Sequence, residues 1–144
     1  MGVSDRGVGS FAKTKDPVTH FAEAAITGSY STQTPQEVLT NTKEFAAFVE
    51  FTRNGSAASN QARVKLQWGY DKDNPTVVFD GMARSGSDVS VDELDLPTVA
   101  GAAKQYWVLP LTNPGGAYSF RLAIKEVGDA ANPPTVKIVL SGSS

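Results

Sequence analysis

The residues best able to do chemistry in this chain are a histidine and several acidic side chains. His20 is the sole histidine, and histidine can exchange a proton near neutral pH. It lies in an irregular N-terminal stretch, and no spacing places a serine, an aspartate or a second histidine beside it. We therefore expect His20 to be solvated or locally hydrogen-bonded.

The acidic side chains raise the question of a cation site. Asp71, Asp73 and Asn74 place hard oxygen ligands close together, as calcium requires. The spacing lacks the glycine and the distal glutamate of a calcium-binding loop, and Asp and Asn are common in turns. An ordinary turn is the favoured interpretation, and calcium is the alternative. Residues 88–95 are also acidic, but the separation of two catalytic carboxylates cannot be read from a sequence.

The sequence contains no recognisable enzyme signature. It has no GxGxxG, Walker-type, HExxH or GxSxG motif. It also has no cysteine, which excludes a thiolate nucleophile, a sulfur-ligated metal and a disulfide. These observations predict a protein that is not an enzyme and that uses no cofactor or metal.

Charge and hydropathy narrow the range of partners. The net charge is -2, from 13 Lys and Arg against 15 Asp and Glu, whereas nucleic-acid-binding proteins usually concentrate basic residues. No apolar run approaches the roughly 20 residues that span a bilayer, and residues 1–14 lack the apolar core of a secretory signal. We expect no nucleic-acid partner, no membrane partner, and synthesis in a cytoplasm.

The elements that must position any site are strands. Apolar and polar residues alternate over residues 62–70, 118–127 and 136–140, which is typical of strands with one buried and one solvated face. About eight such strands, without a helix of three turns, predict an all-β jelly-roll or Greek-key sandwich of antiparallel strands. We expect residues 22–144 to form one sandwich domain after an extended N-terminal arm at residues 1–21.

Aromatic residues are candidates for an interaction surface. Tyr106 and Trp107 are adjacent in a predicted strand, so they point to opposite faces and one of them should leave the core. Trp68 shares the phase of the apolar positions of its strand, which favours a core position. In the strand over residues 45–52, Phe48 falls on the polar side, so that face is also partly apolar.

Basic residues on the polar strand faces have two interpretations. Arg63 and Lys65 alternate with apolar neighbours. They could keep the sheet soluble and discourage edge pairing. Alternatively, they form a basic outer face that docks on an acidic protein surface.

Residues 116–126 and 132–140, with the cysteine-free sandwich and the N-terminal arm, resemble the jelly-roll decoration (cement) proteins of tailed-bacteriophage heads. The resemblance implies a structural virion protein, made in the host cytoplasm, that binds the outer surface of an icosahedral capsid. It would bridge subunits of the major capsid protein and associate with itself as a dimer or trimer. The residues expected at these interfaces are Phe11, Val18, His20, Phe21, Tyr106, Trp107, Arg63 and Lys65. The alternative is a carbohydrate-binding or receptor-binding module on the same architecture.

Overall fold

The computed structural model describes residues 17–31, 33–38, 44–99 and 101–142. These residues form strands and no helix, which confirms the all-β fold class, and none of them lies in a helix able to cross a membrane. The strands are β1 Val18–Ala25, β2 Gln36–Glu37, β3 Glu44–Thr52, β4 Gln61–Gly69, β5 Phe79–Asp80, β6 Met82–Ser85, β7 Asp88–Val91, β8 Glu93–Asp95, β9 Lys104–Thr112, β10 Ser119–Val127 and β11 Thr135–Gly142.

Two antiparallel sheets make the body of the molecule. Sheet I has the strand order β1-β11-β3-β9, and sheet II has the order β2-β10-β4-β5, with β8 also paired to β4. Strands β6 and β7 form a separate hairpin. The two sheets pack face to face as a β-sandwich, because each has one apolar face to bury.

The core lies between the sheets and follows the alternation of the sequence. In β3, every second side chain from Phe45 to Phe51 is buried. The Phe45 ring lies 5.2 Å from Phe120 of the facing sheet, and Phe120 lies 4.7 Å from Trp68. Trp68 is partly exposed and packs against the core, as its phase in the sequence predicts.

The N-terminal boundary differs from the expectation. Residues 18–21 were predicted to belong to an extended arm, but they form the first half of β1, where Val18 pairs with Leu140 and Phe21 with Ile138. Two register shifts interrupt this pairing, and such irregularities hide a period of two from sequence reasoning. Residues 1–16 of the predicted arm, including Phe11, lie outside the described residues.

The segment at residues 53–60, whose composition suggests a flexible connection, is held by buried polar groups. Arg53 is buried and donates hydrogen bonds to the carbonyl oxygens of Asn60, Ala102 and Val99 at 2.6, 2.9 and 2.8 Å. The Asn60 amide donates to Glu126 Oε2 at 3.0 Å. Buried polar groups need such partners, so Arg53 and Asn60 fix the loops at this end of the sandwich.

The inter-sheet position of Phe120 gives a stability prediction. Phe120→Ala is expected to lower the free energy of unfolding by about 3–5 kcal/mol, because the ring is fully buried and its removal leaves a cavity. Phe48→Ala is the matched control on the outer surface and should cost about 1 kcal/mol or less. Urea unfolding followed by fluorescence measures both, and equal losses would contradict the packing described here.

Candidate functional site

The outer face of sheet I carries an apolar strip, which we define as Val139, Phe48, Val108 and Tyr106. Phe48 of β3 lies directly opposite Val139 on one neighbouring strand and Val108 on the other. Phe48, Val108 and Tyr106 are 43%, 58% and 68% exposed. Val139 is half-buried. Single exposed apolar residues are ordinary, but contiguous apolar side chains across three strands form the kind of patch that marks an interaction site.

Charged residues of both signs flank the apolar strip. Glu50 lies opposite Tyr106 on β9 and opposite Lys137 on β11. Lys104 Nζ is 4.0 Å from a Glu50 oxygen and 5.7 Å from the centre of the Tyr106 ring. An apolar centre with a charged rim is the usual anatomy of a protein–protein interface.

The structure decides between the two neighbouring aromatics of β9. Tyr106 is exposed in the apolar strip, whereas Trp107 points inward and packs 5.4 Å from the Phe51 ring. The indole nitrogen of Trp107 donates a hydrogen bond to the Pro97 carbonyl at 3.2 Å. Tyr106 is therefore the residue available to a partner, and Trp107 supports the strand that presents it.

The predicted basic face lies on the outside of sheet II, and acidic side chains neutralise it. Arg63 forms an ion pair with Asp95 of β8, and this pairing lowers the pKa of Asp95. Lys65 lies 3.3 Å from Asp80 and 4.6 Å from the centre of the Tyr30 ring. The acidic segment thus lies beside the basic residues of its own sheet, which weakens the case for docking on an acidic partner.

His20 is buried and hydrogen-bonded, so of the two expected states the solvated one is wrong, and its partner lies in a distant part of the chain. Its Nε2 accepts a hydrogen bond from the backbone N–H of Leu122 at 3.0 Å, and its ring stacks on Phe120. Burial, and secondarily the charge of Arg121, lowers the pKa of His20 to about 4. Val18 and Phe21 are also packed against the core, so β1 brings these three residues to the sandwich and not to a free surface.

The Asp71 turn has the geometry of ordinary turn chemistry. Asp71 accepts hydrogen bonds from the backbone of Asp73 at 2.9 Å and from the side chain of Asn74 at 3.0 Å. The Asn74 bond, and then the Asp73 bond, lower the pKa of Asp71. Among the described residues no group of three or more His, Asp or Glu side chains is placed to hold a metal ion.

A shallow aromatic groove lies at the end of β4, away from the apolar strip. Tyr70 and Phe79 are 72% and 55% exposed, and their rings stack 6.0 Å apart. With Trp68 and the turn at residues 114–117 they line a groove of about 140 Å³. Aromatic faces of this kind can stack on flat apolar or sugar rings.

Comparisons with known proteins add no identification: no family model, no curated protein and no solved structure matches the chain. The function must be argued from the surfaces themselves. Sequence reasoning offered Tyr106 and Trp107 without deciding between them, and it missed Val108 and Phe79 as exposed residues. The signal for the apolar strip was Phe48, an aromatic residue on the polar side of its strand.

His20 gives a prediction for stability against pH. The unfolded chain binds a proton on His20 near pH 6.5, whereas the folded protein does so only near pH 4. The contribution of His20 to the free energy of unfolding is therefore fully present above about pH 6.5. It falls by about 3 kcal/mol as the pH drops to about 4.

The measurement is urea unfolding between pH 4 and pH 7 for the natural chain and for His20→Gln, which keeps a hydrogen-bond acceptor but does not titrate. We expect the natural chain to lose more stability than the variant as the pH falls. Parallel pH profiles for the two proteins would show that His20 does not titrate as described.

Proposed function

We propose that this chain is a non-enzymatic structural virion protein that binds the outer surface of an icosahedral phage capsid and stabilises it by bridging subunits of the major capsid protein. The observation that carries the proposal is the apolar strip on the outer face of sheet I. Such a face is suited to contact another protein surface.

The strand order supports the jelly-roll architecture that the resemblance implies. The strands β1, β3, β9 and β11 belong to sheet I, and β2, β4, β5, β8 and β10 belong to sheet II, so most successive strands alternate between the sheets. A jelly roll is a double-sheet fold with this kind of alternation. The two segments that carry the resemblance correspond to β10 and β11, which lie inside their sheets.

The proposed mechanism is the repetition of modest contacts. Burial of the apolar strip stabilises a contact by about 25 cal/mol for each Å² of apolar surface removed from water. The charged rim formed by Glu50, Lys104 and Lys137 fixes orientation more than affinity. Because an icosahedral shell presents the same surface many times, one copy that contacts two capsid subunits resists their separation.

Loading of phage heads assembled without this chain tests the proposal. Purified chain is added to such heads, and the protein that sediments with them is measured. We expect the natural chain to bind, and Val108→Asp to bind at least about tenfold less tightly, because a carboxylate in an apolar contact loses its hydration.

The matched control is Val89→Asp, a similarly exposed valine on the β6–β7 hairpin, which should load like the natural chain. Failure of the natural chain to bind heads would refute capsid binding. Normal loading of Val108→Asp would refute the role of the apolar strip.

A carbohydrate-binding module is the second candidate, and the aromatic groove favours it. Tyr70 and Phe79 form the exposed, stacked aromatic pair beside a groove that such a module requires. The polar Asp71 turn follows directly in the chain, so hydrogen-bonding groups lie next to the rings. Trp107, one of the two adjacent aromatic residues that the sequence offered for an interaction surface, is turned inward.

A glycan array separates the two candidates. If the groove binds sugars, the natural chain gives a signal that Tyr70→Ala removes, because stacking of the sugar ring on the Tyr70 ring is lost, whereas Tyr106→Ala retains it. No signal from the natural chain, or a signal unaffected by Tyr70→Ala, would remove the groove as a sugar site.

A further inference from the structure

The outer edge of β9 carries backbone groups that face away from its only strand neighbour within the described residues, β3. The Arg53 N–H donates to the Ala103 carbonyl at 2.8 Å, so residue 103 belongs to a hydrogen-bonded position of the β3–β9 ladder. In an antiparallel ladder such positions alternate with positions whose N–H and C=O point away from the partner. The even-numbered residues Lys104, Tyr106 and Val108 therefore direct both groups to the free edge.

Pro110 is consistent with this assignment and ends the stretch of the free edge that has complete backbone groups. It lies opposite Ala46 of β3 and has no N–H to donate. As an even-numbered residue, its missing donor falls on the free edge, where proline is tolerated in a strand. The stretch with complete backbone groups therefore runs from Lys104 to Val108.

The other edges of the two sheets are protected within the described part of the chain. The pairing of β1 with β11 contains two register shifts, and such bulges discourage further strand addition. The free side of β10 is covered by β2 and by the His20 and Ser31 side chains, which accept hydrogen bonds from Leu122 and Ile124. The outer side of β4 carries β5 and β8.

Strand β9 differs from these edges. It pairs with β3 over nine residues without a register shift, so its opposite edge is long and regular. Its outward side chains next to the edge include the exposed Tyr106 and Val108. A regular edge of this length with apolar side chains is a template for strand addition.

We propose that β9 pairs antiparallel with β9 of a second copy of this chain, about a two-fold axis at Tyr106. In this register Tyr106 lies opposite Tyr106 of the second copy, and Lys104 lies opposite Val108. Every backbone N–H and C=O on the free edge between Lys104 and Val108 then has a partner. A register that brings Pro110 into the paired stretch leaves the carbonyl oxygen opposite it without an N–H donor. The register centred on Tyr106 avoids this and pairs every backbone group on the free edge from Lys104 to Val108.

The pairing joins the two copies of sheet I into one continuous sheet. Side chains keep their faces when strands are added at an edge, so the apolar strips of both copies lie on the same side, with the Tyr106 rings adjacent at the centre. The inference does not depend on capsid binding, because it concerns two copies of this chain in solution. If both hold, the dimer presents a doubled strip to the shell and gains avidity.

Cysteine substitution tests the register, since the chain has no cysteine of its own. In the proposed pair the two residues 106 are directly opposite, with Cα atoms about 5.5 Å apart, a separation that a disulfide spans. The two residues 108 are roughly 14 Å apart, because four residues of strand separate them. Under mild oxidation, Tyr106→Cys should form a covalent dimer in high yield and Val108→Cys should form little.

Sedimentation velocity provides a second readout without cross-linking. The natural chain should sediment as a dimer that dissociates on dilution. Val108→Pro removes an N–H from the free edge but none from the β3 ladder, so it should be monomeric. Thr112 also directs its N–H to the free edge but lies outside the paired stretch, so Thr112→Pro should remain dimeric.

Three outcomes would overturn the proposal. A natural chain that stays monomeric at about 100 µM shows that no second copy occupies the edge. A trimer or larger ring contradicts a two-fold pair. Equal cross-linking by Tyr106→Cys and Val108→Cys contradicts the register. All three are measured without phage heads, so they are distinguishable from a failure of capsid binding.

Discussion

The packing of Phe120 between the sheets is the interaction on which the surfaces of this protein depend. Phe45 of β3 and His20 of β1 contact it from sheet I, and Trp68 contacts it from the neighbouring strand of sheet II. Without cysteine, no disulfide can hold the sheets together, so apolar burial must do so. By fixing which side of β3 faces inward, this packing also fixes Phe48 on the outside.

Sequence reasoning succeeded where one face of a strand is apolar and the other polar. The alternation over residues 62–70 and 118–127 matches β4 and β10, and it places Trp68 against the core. It could not decide between Tyr106 and Trp107, because both faces of β9 are apolar and the choice depends on which face meets sheet II. The burial of His20 was also unpredictable, since its backbone partner Leu122 is 102 residues away in the chain.

The outer faces of the two sheets differ in how many of their side chains already have partners within the chain. On sheet II, Arg63 and Lys65 are paired with Asp95 and Asp80, so these charges already have partners within the chain. On sheet I, Phe48, Val108 and Tyr106 of the apolar strip remain exposed to solvent. The asymmetry explains why we assign binding to sheet I, although the sequence alone also offered the basic residues.

A reconstruction by electron cryomicroscopy of decorated phage heads, at a resolution that resolves side chains, tests the central claim most directly. The account predicts ordered density for this chain with Phe48, Val108 and Val139 in contact with the major capsid protein. Density in which the outer face of sheet I points to solvent, while sheet II or the aromatic groove contacts the shell, would contradict it. Heads that carry no density for the chain would contradict capsid binding altogether.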